Sequence, residues 1–338
     1  MKLDARLEGA TPVEIAAAAR DAEAWELDGL WTHETQHDPF LPVAVAAEHT
    51  RRIEMGTAIA VAFPRSPMVV AYTAWDLARW SGGRFLLGLG TQVRAHNERR
   101  FGVPWVSPGP RLREYVLALR AIWDCWQTGA PLKFEGRFYT HTLMTPFFNP
   151  GPLPNPRLPV WLAAVNPYLC RVAGEVADGL QVHPFHTARY IREGILPHVE
   201  AGAVGSGRRR ADVALGSSIF VVTGANEAEM AAAAAAVRAQ IAFYASTKGY
   251  WPVLEVHGWT DVGARLNRLA AAGRWGEMAA LVTDEMLHEF AIVAPHADLA
   301  TRLLARYRGL LDRFFLYFPF PAGLPRDLWP ALAAACHA

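Results

Sequence analysis

Short runs of aliphatic and β-branched residues recur along this chain, each followed by a longer stretch whose apolar positions return every three or four residues. The runs lie at 2–7, 29–34, 53–61, 84–90, 160–164, 179–182, 213–222 and 313–318. The helical patterns lie at 13–26, 42–51, 67–80, 111–127, 167–177, 188–199, 227–245 and 297–310. Strands alternating with helices of this length are the mark of βαβ units and a parallel sheet. Eight repeats predict a closed (β/α)8 TIM barrel, with residues 1–338 as one domain. Within 111–127, Leu112, Tyr115, Leu119, Ile122, Trp123 and Trp126 fall on one helical face and read as core.

Two regions interrupt the alternation, giving insertions after strands four and seven. The first, about 130–159, contains a short strand-like FEGRFY and then prolines at 146, 150, 152, 154, 156 and 159, which forbid helix and favour an extended surface path. The second, 223–293, carries Tyr250, Trp251, Trp259 and Trp275, and an aromatic insertion on a barrel is expected to wall a substrate pocket.

Composition agrees with a large core and removes several functions. The chain has 338 residues, 52% of them hydrophobic and 19% charged. A formal charge of +1 gives no field to gather nucleic acid or an anionic membrane. Cys125, Cys170 and Cys336 are far apart and have no metal-ligand spacing, so buried, reduced thiols are expected rather than disulfides or zinc. No apolar run is long enough to cross a bilayer and the start lacks a secretion pattern, so a cytoplasmic protein is expected.

In a parallel barrel the chemistry sits at the C-terminal ends of the strands. The second strand ends in THETQHDPF. His33 and Glu34 there are either site residues or buried polar groups serving the fold, and His37 is a further candidate. Asp38 reads as a helix cap. The third strand has Gly56, Thr57, Ala58 and Ala60, small residues that admit a flat ring or simply fill a tapering interior. The fourth strand ends in Thr91, Gln92, Arg94, His96 and Asn97. Gly88 and Gly90 are half a dinucleotide fingerprint, but Val93 stands where the third glycine belongs, so a Rossmann turn is rejected. After the fifth strand, Asn166 caps a helix whose N-terminus could take a phosphate, or take no ligand. The sixth ends in His183, Pro184, His186 and Thr187, a second helix start that suggests anion binding. The histidines lack metal-ligand spacing, no GxSxG elbow is present, and Arg208, Arg209 and Arg210 read as a solvated loop.

Five segments in register, DGLWTHE, EMGTAIA, SGGRFLLGLGTQ, REYVLALRAIW and AGEVADG, resemble the bacterial luciferase-like superfamily of flavin- or deazaflavin-dependent TIM-barrel oxidoreductases. The resemblance covers nearly the whole chain and is nearest to the F420-dependent branch. It implies hydride transfer between F420 and a small, apolar organic substrate, in a homodimer. Its alternatives are an FMN-dependent two-component monooxygenase and a non-catalytic flavin-binding protein. It implies a bulge with a non-proline cis peptide at Ala58 and Ile59 against the ring system, contacts to ring or ribityl chain from Thr91 and Gln92, and a phosphate-binding turn at Ala164, Val165 and Asn166, with His183 also on the cofactor. Glu34 matches an acidic residue near the reactive ring. Thr35 stands where several deazaflavin-using relatives have a proton-donating histidine, leaving Glu34, His33 or His37 to serve as acid or base.

Overall fold

The computed structural model describes all 338 residues. Eight parallel strands follow one another around a barrel: β1 (Lys2–Arg6), β2 (Gly29–Thr32), β3 (Glu54–Thr57, resuming as Ala60–Val61), β4 (Phe85–Gly90), β5 (Val160–Ala164), β6 (Gly179–Val182), β7 (Ala214–Val222) and β8 (Arg313–Leu316). β8 pairs back onto β1 through Lys2↔Arg313, Leu3↔Phe314 and Asp4↔Phe315, so the ring closes as the alternation predicts. Side-chain hydroxyls and amides start several of the outer helices by accepting orphan N–H groups. Thr11 and Glu14 form a capping box at Pro12–Ala24, Ser66 caps Pro67–Trp80, and Asn226 caps Glu227–Ala245. Helix Pro108–Thr128 buries the expected apolar stripe and ends at Gly129, whose φ of 77° a side chain would resist.

The structure departs from the periodicity in a few places. The third run is interrupted between Thr57 and Ala60, and the bond joining Ala58 to Ile59 is cis. FEGRFY contributes one strand of a small hairpin, Phe134–Glu135 with Thr140–His141. The helix after β6 starts as Ala188–Tyr190, widens into a π-turn at Ile191–Ile195 and continues as Leu196–Gly205. Pro197 lacks the N–H that would continue an α-helical ladder there. The second insertion holds Trp251–Glu255, Thr260–Ala271 and Asp284–Phe290 and adds strand Ala291–Val293 to the edge of β7. Two helices escaped the pattern, Arg94–Arg99 and Leu328–His337. All three cysteines are buried and free. No helix is long and apolar enough to cross a membrane.

Alternate side chains of each strand point into the barrel. Towards the N-terminal ends of the strands this interior is filled by Trp31 and Trp161, edge to face at 5.6 Å, and by Arg313, whose guanidinium lies 4.9 and 5.6 Å from their ring centres. Arg313 donates to Asp4 at 2.9 Å and to Glu54 at 2.8 Å, and the Trp31 Nε1–H donates to Asp4 at 2.7 Å. Burial opposes the charge on Arg313, but Asp4 and Glu54 outweigh it and hold the guanidinium above its usual range. The glycines make the space: a Cβ on Gly179 would sit 2.3 Å from the Trp161 ring, and one on Gly56 2.7 Å from Trp31. For Gly56, therefore, filling the interior is sufficient reason to be small.

Candidate functional site

One inward step beyond this plug lie the residues of the C-terminal mouth. Arg6 follows Asp4 on β1, His33 follows Trp31 beyond β2, His183 follows Gln181 beyond β6, and Tyr317 follows Phe315 beyond β8. His33 meets Phe315 edge-on at 5.6 Å, and its Nδ1 is buried without a partner. Burial, reinforced by the nearby Arg6, pushes its pKa down to about 3, so the ring is neutral at physiological pH. The His183 ring stacks on Tyr250 at 4.4 Å and meets Tyr244 edge-on at 4.8 Å. Its Nδ1 accepts the Phe185 N–H at 3.1 Å, which puts the proton of the neutral ring on Nε2. Burial and the neighbouring His186 push His183 to about 3 as well. His186 is buried, its Nδ1 2.9 Å from the His183 carbonyl, and burial brings it to about 4. Neither histidine of this strand end offers a positive charge to an anion.

Glu34 is buried and fully engaged. Its carboxylate accepts the Val61 N–H at 2.7 Å and the Arg65 guanidinium at 2.8 and 3.0 Å. Arg65 also donates to Asp38 at 3.0 Å and to the Val61 carbonyl at 3.1 Å, and its own carbonyl accepts the Tyr115 hydroxyl at 3.1 Å. The clamp ties the end of β2 to the segment that follows the cis bond. The cap position of helix Phe40–His49 is Pro39 rather than Asp38, although Asp38, one residue earlier, accepts the Phe40 N–H at 2.8 Å. His37 is exposed and makes no hydrogen bond.

Just before the cis bond, Thr57 stitches β3 to β4: its hydroxyl donates to the Gly88 carbonyl at 2.6 Å and accepts the Gly88 N–H at 3.0 Å. A Cβ on Gly88 would fall 1.7 Å from the Thr57 carbonyl oxygen, which is why half a fingerprint's glycine stands there. Beyond β4, half-buried Thr91 leads into Gln92, a non-glycine residue at φ 57°. Asn97 holds that turn by donating to the carbonyls of Thr91 at 2.8 Å and Val93 at 3.1 Å. Beyond β5, Asn166 accepts the Leu169 N–H at 3.0 Å and caps Pro167–Val176, while the Val165 carbonyl accepts the Tyr190 hydroxyl at 2.6 Å. Ala164 is buried at the strand's last position.

Of the four aromatics expected as a wall, Tyr250 reaches the mouth. Trp251 donates to the Ala245 carbonyl, Trp259 stacks on His257 at 4.3 Å, and Trp275 is half exposed. The arginine loop is less solvated than expected: Arg208 donates to the Gly174 carbonyl at 2.9 Å, Arg209 pairs with Asp212, and Arg210 bonds the Val213 carbonyl. The residues that sequence reading missed are Arg6, Tyr244, Tyr317 and Arg65. Arg6 and Tyr317 close apolar runs and look like strand termini. The signal for them was parity, two residues beyond Asp4 and Phe315.

A model of the luciferase-like monooxygenase family matches residues 2–313. An uncharacterised protein of Mycobacterium tuberculosis is 50% identical over 316 residues, 93% of each chain. The 5,10-methylenetetrahydromethanopterin reductase of Archaeoglobus fulgidus is 28% identical over 300 residues, 86% of this chain and 85% of the reductase. Among solved structures, the coenzyme F420-dependent tetrahydromethanopterin reductase of Methanopyrus kandleri superposes with a TM-score of 0.77 at 20% identity, over 98% of this chain and 96% of that one. The barrel and its elaborated mouth are thus those of an enzyme. The chain belongs to the luciferase-like monooxygenase family.

Proposed function

We propose that this enzyme is an F420-dependent oxidoreductase that moves a hydride between the deazaflavin and a small organic substrate with an apolar body. Sequence relatives named as a putative coenzyme F420-dependent oxidoreductase, 28% identical over 302 residues, and as an F420-dependent glucose-6-phosphate dehydrogenase, 33% identical over 193 residues, support the choice of F420. The observation that carries the reading is the division of the mouth into two sides. Towards β3, β4 and β5 the inward positions are Ala58, Gly90 and Val165, small enough for a planar tricycle to lie against them. Towards the other strands they are polar or aromatic. Buried polar atoms without partners, Nδ1 of His33, Oδ1 of Asn97 and Oγ1 of Thr223, stand at three strand ends, where a ligand rich in carbonyl and hydroxyl groups would meet them.

On this reading Ala58 and Ile59 back the ring, Thr91 and Gln92 meet the ribityl chain, His183 borders the ring, and the turn Ala164, Val165 and Asn166 presents a helix N-terminus to the phosphate. Bound there, the deazaflavin supplies a ring carbon that gives or accepts a hydride. Glu34, bonded to the Arg65 guanidinium and the Val61 N–H, fixes the backbone beneath the ring. Of the three acid–base candidates, His33 alone has an unengaged nitrogen buried at the mouth, whereas the oxygens of Glu34 are occupied and His37 is exposed.

The description of the family model favours a second reading, a monooxygenase, for which FMN is the alternative cofactor. Titrating the purified apoprotein with F420 and with FMN separates the two. Saturable binding of F420 is expected, and FMN binding without F420 binding overturns the proposal.

A further inference from the structure

Tyr317 and Tyr244 reach the mouth from different parts of the molecule. On β8 the inward sequence runs Arg313, Phe315, Tyr317, and Tyr244 descends from helix Glu227–Ala245 of the second insertion. Their hydroxyl oxygens are 2.7 Å apart, and neither makes another hydrogen bond. Each hydroxyl carries one hydrogen, and only one of the two can lie between the oxygens. The other is free to donate. Beside the pair stands the Arg6 guanidinium, 6.0 Å from the Tyr317 ring centre with its Nε buried and unpartnered, and Arg6 in turn lies near His33, whose Nδ1 is open. Around them the surface is aromatic: Phe220 lies 4.6 Å from Tyr317, and Tyr250 stacks on His183.

The charge balance of this corner selects among substrates. Arg6 is paired with Glu8 and both mouth histidines are neutral, so no uncompensated cation faces the pair. A phosphate or carboxylate placed there would be desolvated without a counter-charge. A carbonyl or hydroxyl oxygen needs only the free donor, and its carbon body would lie on the aromatic wall.

We infer that the Tyr317–Tyr244 hydroxyl pair, with Arg6 beside it, holds the reacting oxygen of the substrate, and that the substrate is an uncharged carbonyl or alcohol compound with an apolar body. The inference rests on the mouth being the reaction site and deepens that reading. It explains why the insertion contributes a tyrosine hydroxyl exactly where a wall alone would need only a ring.

The test is nuclear magnetic resonance of protein labelled with ¹³C at the tyrosine ring, where only 9 tyrosines give signals. Cyclohexanone and inorganic phosphate are titrated into the protein alone and into protein saturated with F420. Cyclohexanone is expected to shift the Tyr317 and Tyr244 signals saturably, and phosphate to leave them in place. Tyr317→Phe keeps the ring against Phe220 and should weaken cyclohexanone binding about tenfold, the scale of one lost hydrogen bond. Tyr244→Phe removes the other hydroxyl of the pair and should weaken it to a similar extent. F420 binding should be unchanged in both variants. Cyclohexanone that shifts neither signal in either state, a Tyr317→Phe variant that binds it as well as the wild type, or phosphate that displaces it would each overturn the inference. Loss of the F420 proposal would appear separately, as absence of cofactor binding, with the cofactor-free arm still readable.

Discussion

The two ends of the barrel interior are built from similar residues to opposite purposes. At the N-terminal end the Trp31 Nε1–H, an arginine and two carboxylates satisfy one another, with Arg313 and Asp4 buried and doubly bonded. At the C-terminal end two histidines, an arginine and two tyrosines leave polar atoms without partners. Burying an unpaired polar group costs about 1–3 kcal/mol, so the open end persists only because the closed end and the surrounding core stabilise the fold. The charged cluster of the closed end shows what satisfied polar groups look like in this protein, with the Oε1 of Gln181 beside it the exception. The open end is recognised by what it lacks.

The largest expected effect comes from breaking the finished end. Arg313→Leu strands the Asp4 carboxylate, and chemical denaturation should show a loss of about 3–5 kcal/mol. Acid should act on the other end. His33, His183 and His186 have folded pKa values of about 3, 3 and 4, below their ordinary 6.5. Between those values and 6.5 the unfolded chain binds more protons than the folded one. Stability is therefore complete above about pH 6.5 and falls as pH drops towards 3, by on the order of 1 kcal/mol per pH unit for each histidine. Denaturation curves at pH 7, 5 and 4 should flatten in His183→Asn. A methyl group separates the ends more finely. Gly179→Ala pushes into the Trp161 ring and should cost about 1–3 kcal/mol, whereas Gly90→Ala meets the movable end of Ile59 and, at an ordinary 3.5 Å, Ala163, and should cost less than about 1 kcal/mol. Finally, Glu34→Gln leaves the clamp neutral on one side. It should lower turnover about tenfold, a change of roughly 1.4 kcal/mol, with cofactor affinity nearly intact; unchanged turnover would remove Glu34 from the mechanism.

The barrel was legible because each strand and helix announces itself locally, through runs of aliphatic residues and a face such as Leu112, Tyr115, Leu119 and Trp126. The interruption of β3 was legible only through family resemblance, since EMGTAIA has nothing in its composition to mark a cis bond. Glu34 stood out as a carboxylate at a strand end. Its partner Arg65 did not, because the clamp spans 31 positions and depends on how the chain leaves β3. Tyr244 was hidden for a related reason. It lies in an alanine-rich helix whose pattern speaks only of helix propensity, and its hydroxyl finds Tyr317 across 73 positions.

That last contact joins the end of a barrel strand to a helix of the second insertion. One oxygen belongs to a strand end, and the other rides on a helix whose buried residues are Ile241, Ala242 and Ala245. Substitutions along the buried side of that helix, far from any bound molecule, would tilt it and alter the spacing between the two oxygens. New substrates could thus be accommodated by repacking a helix, with every residue of the barrel floor left as it is.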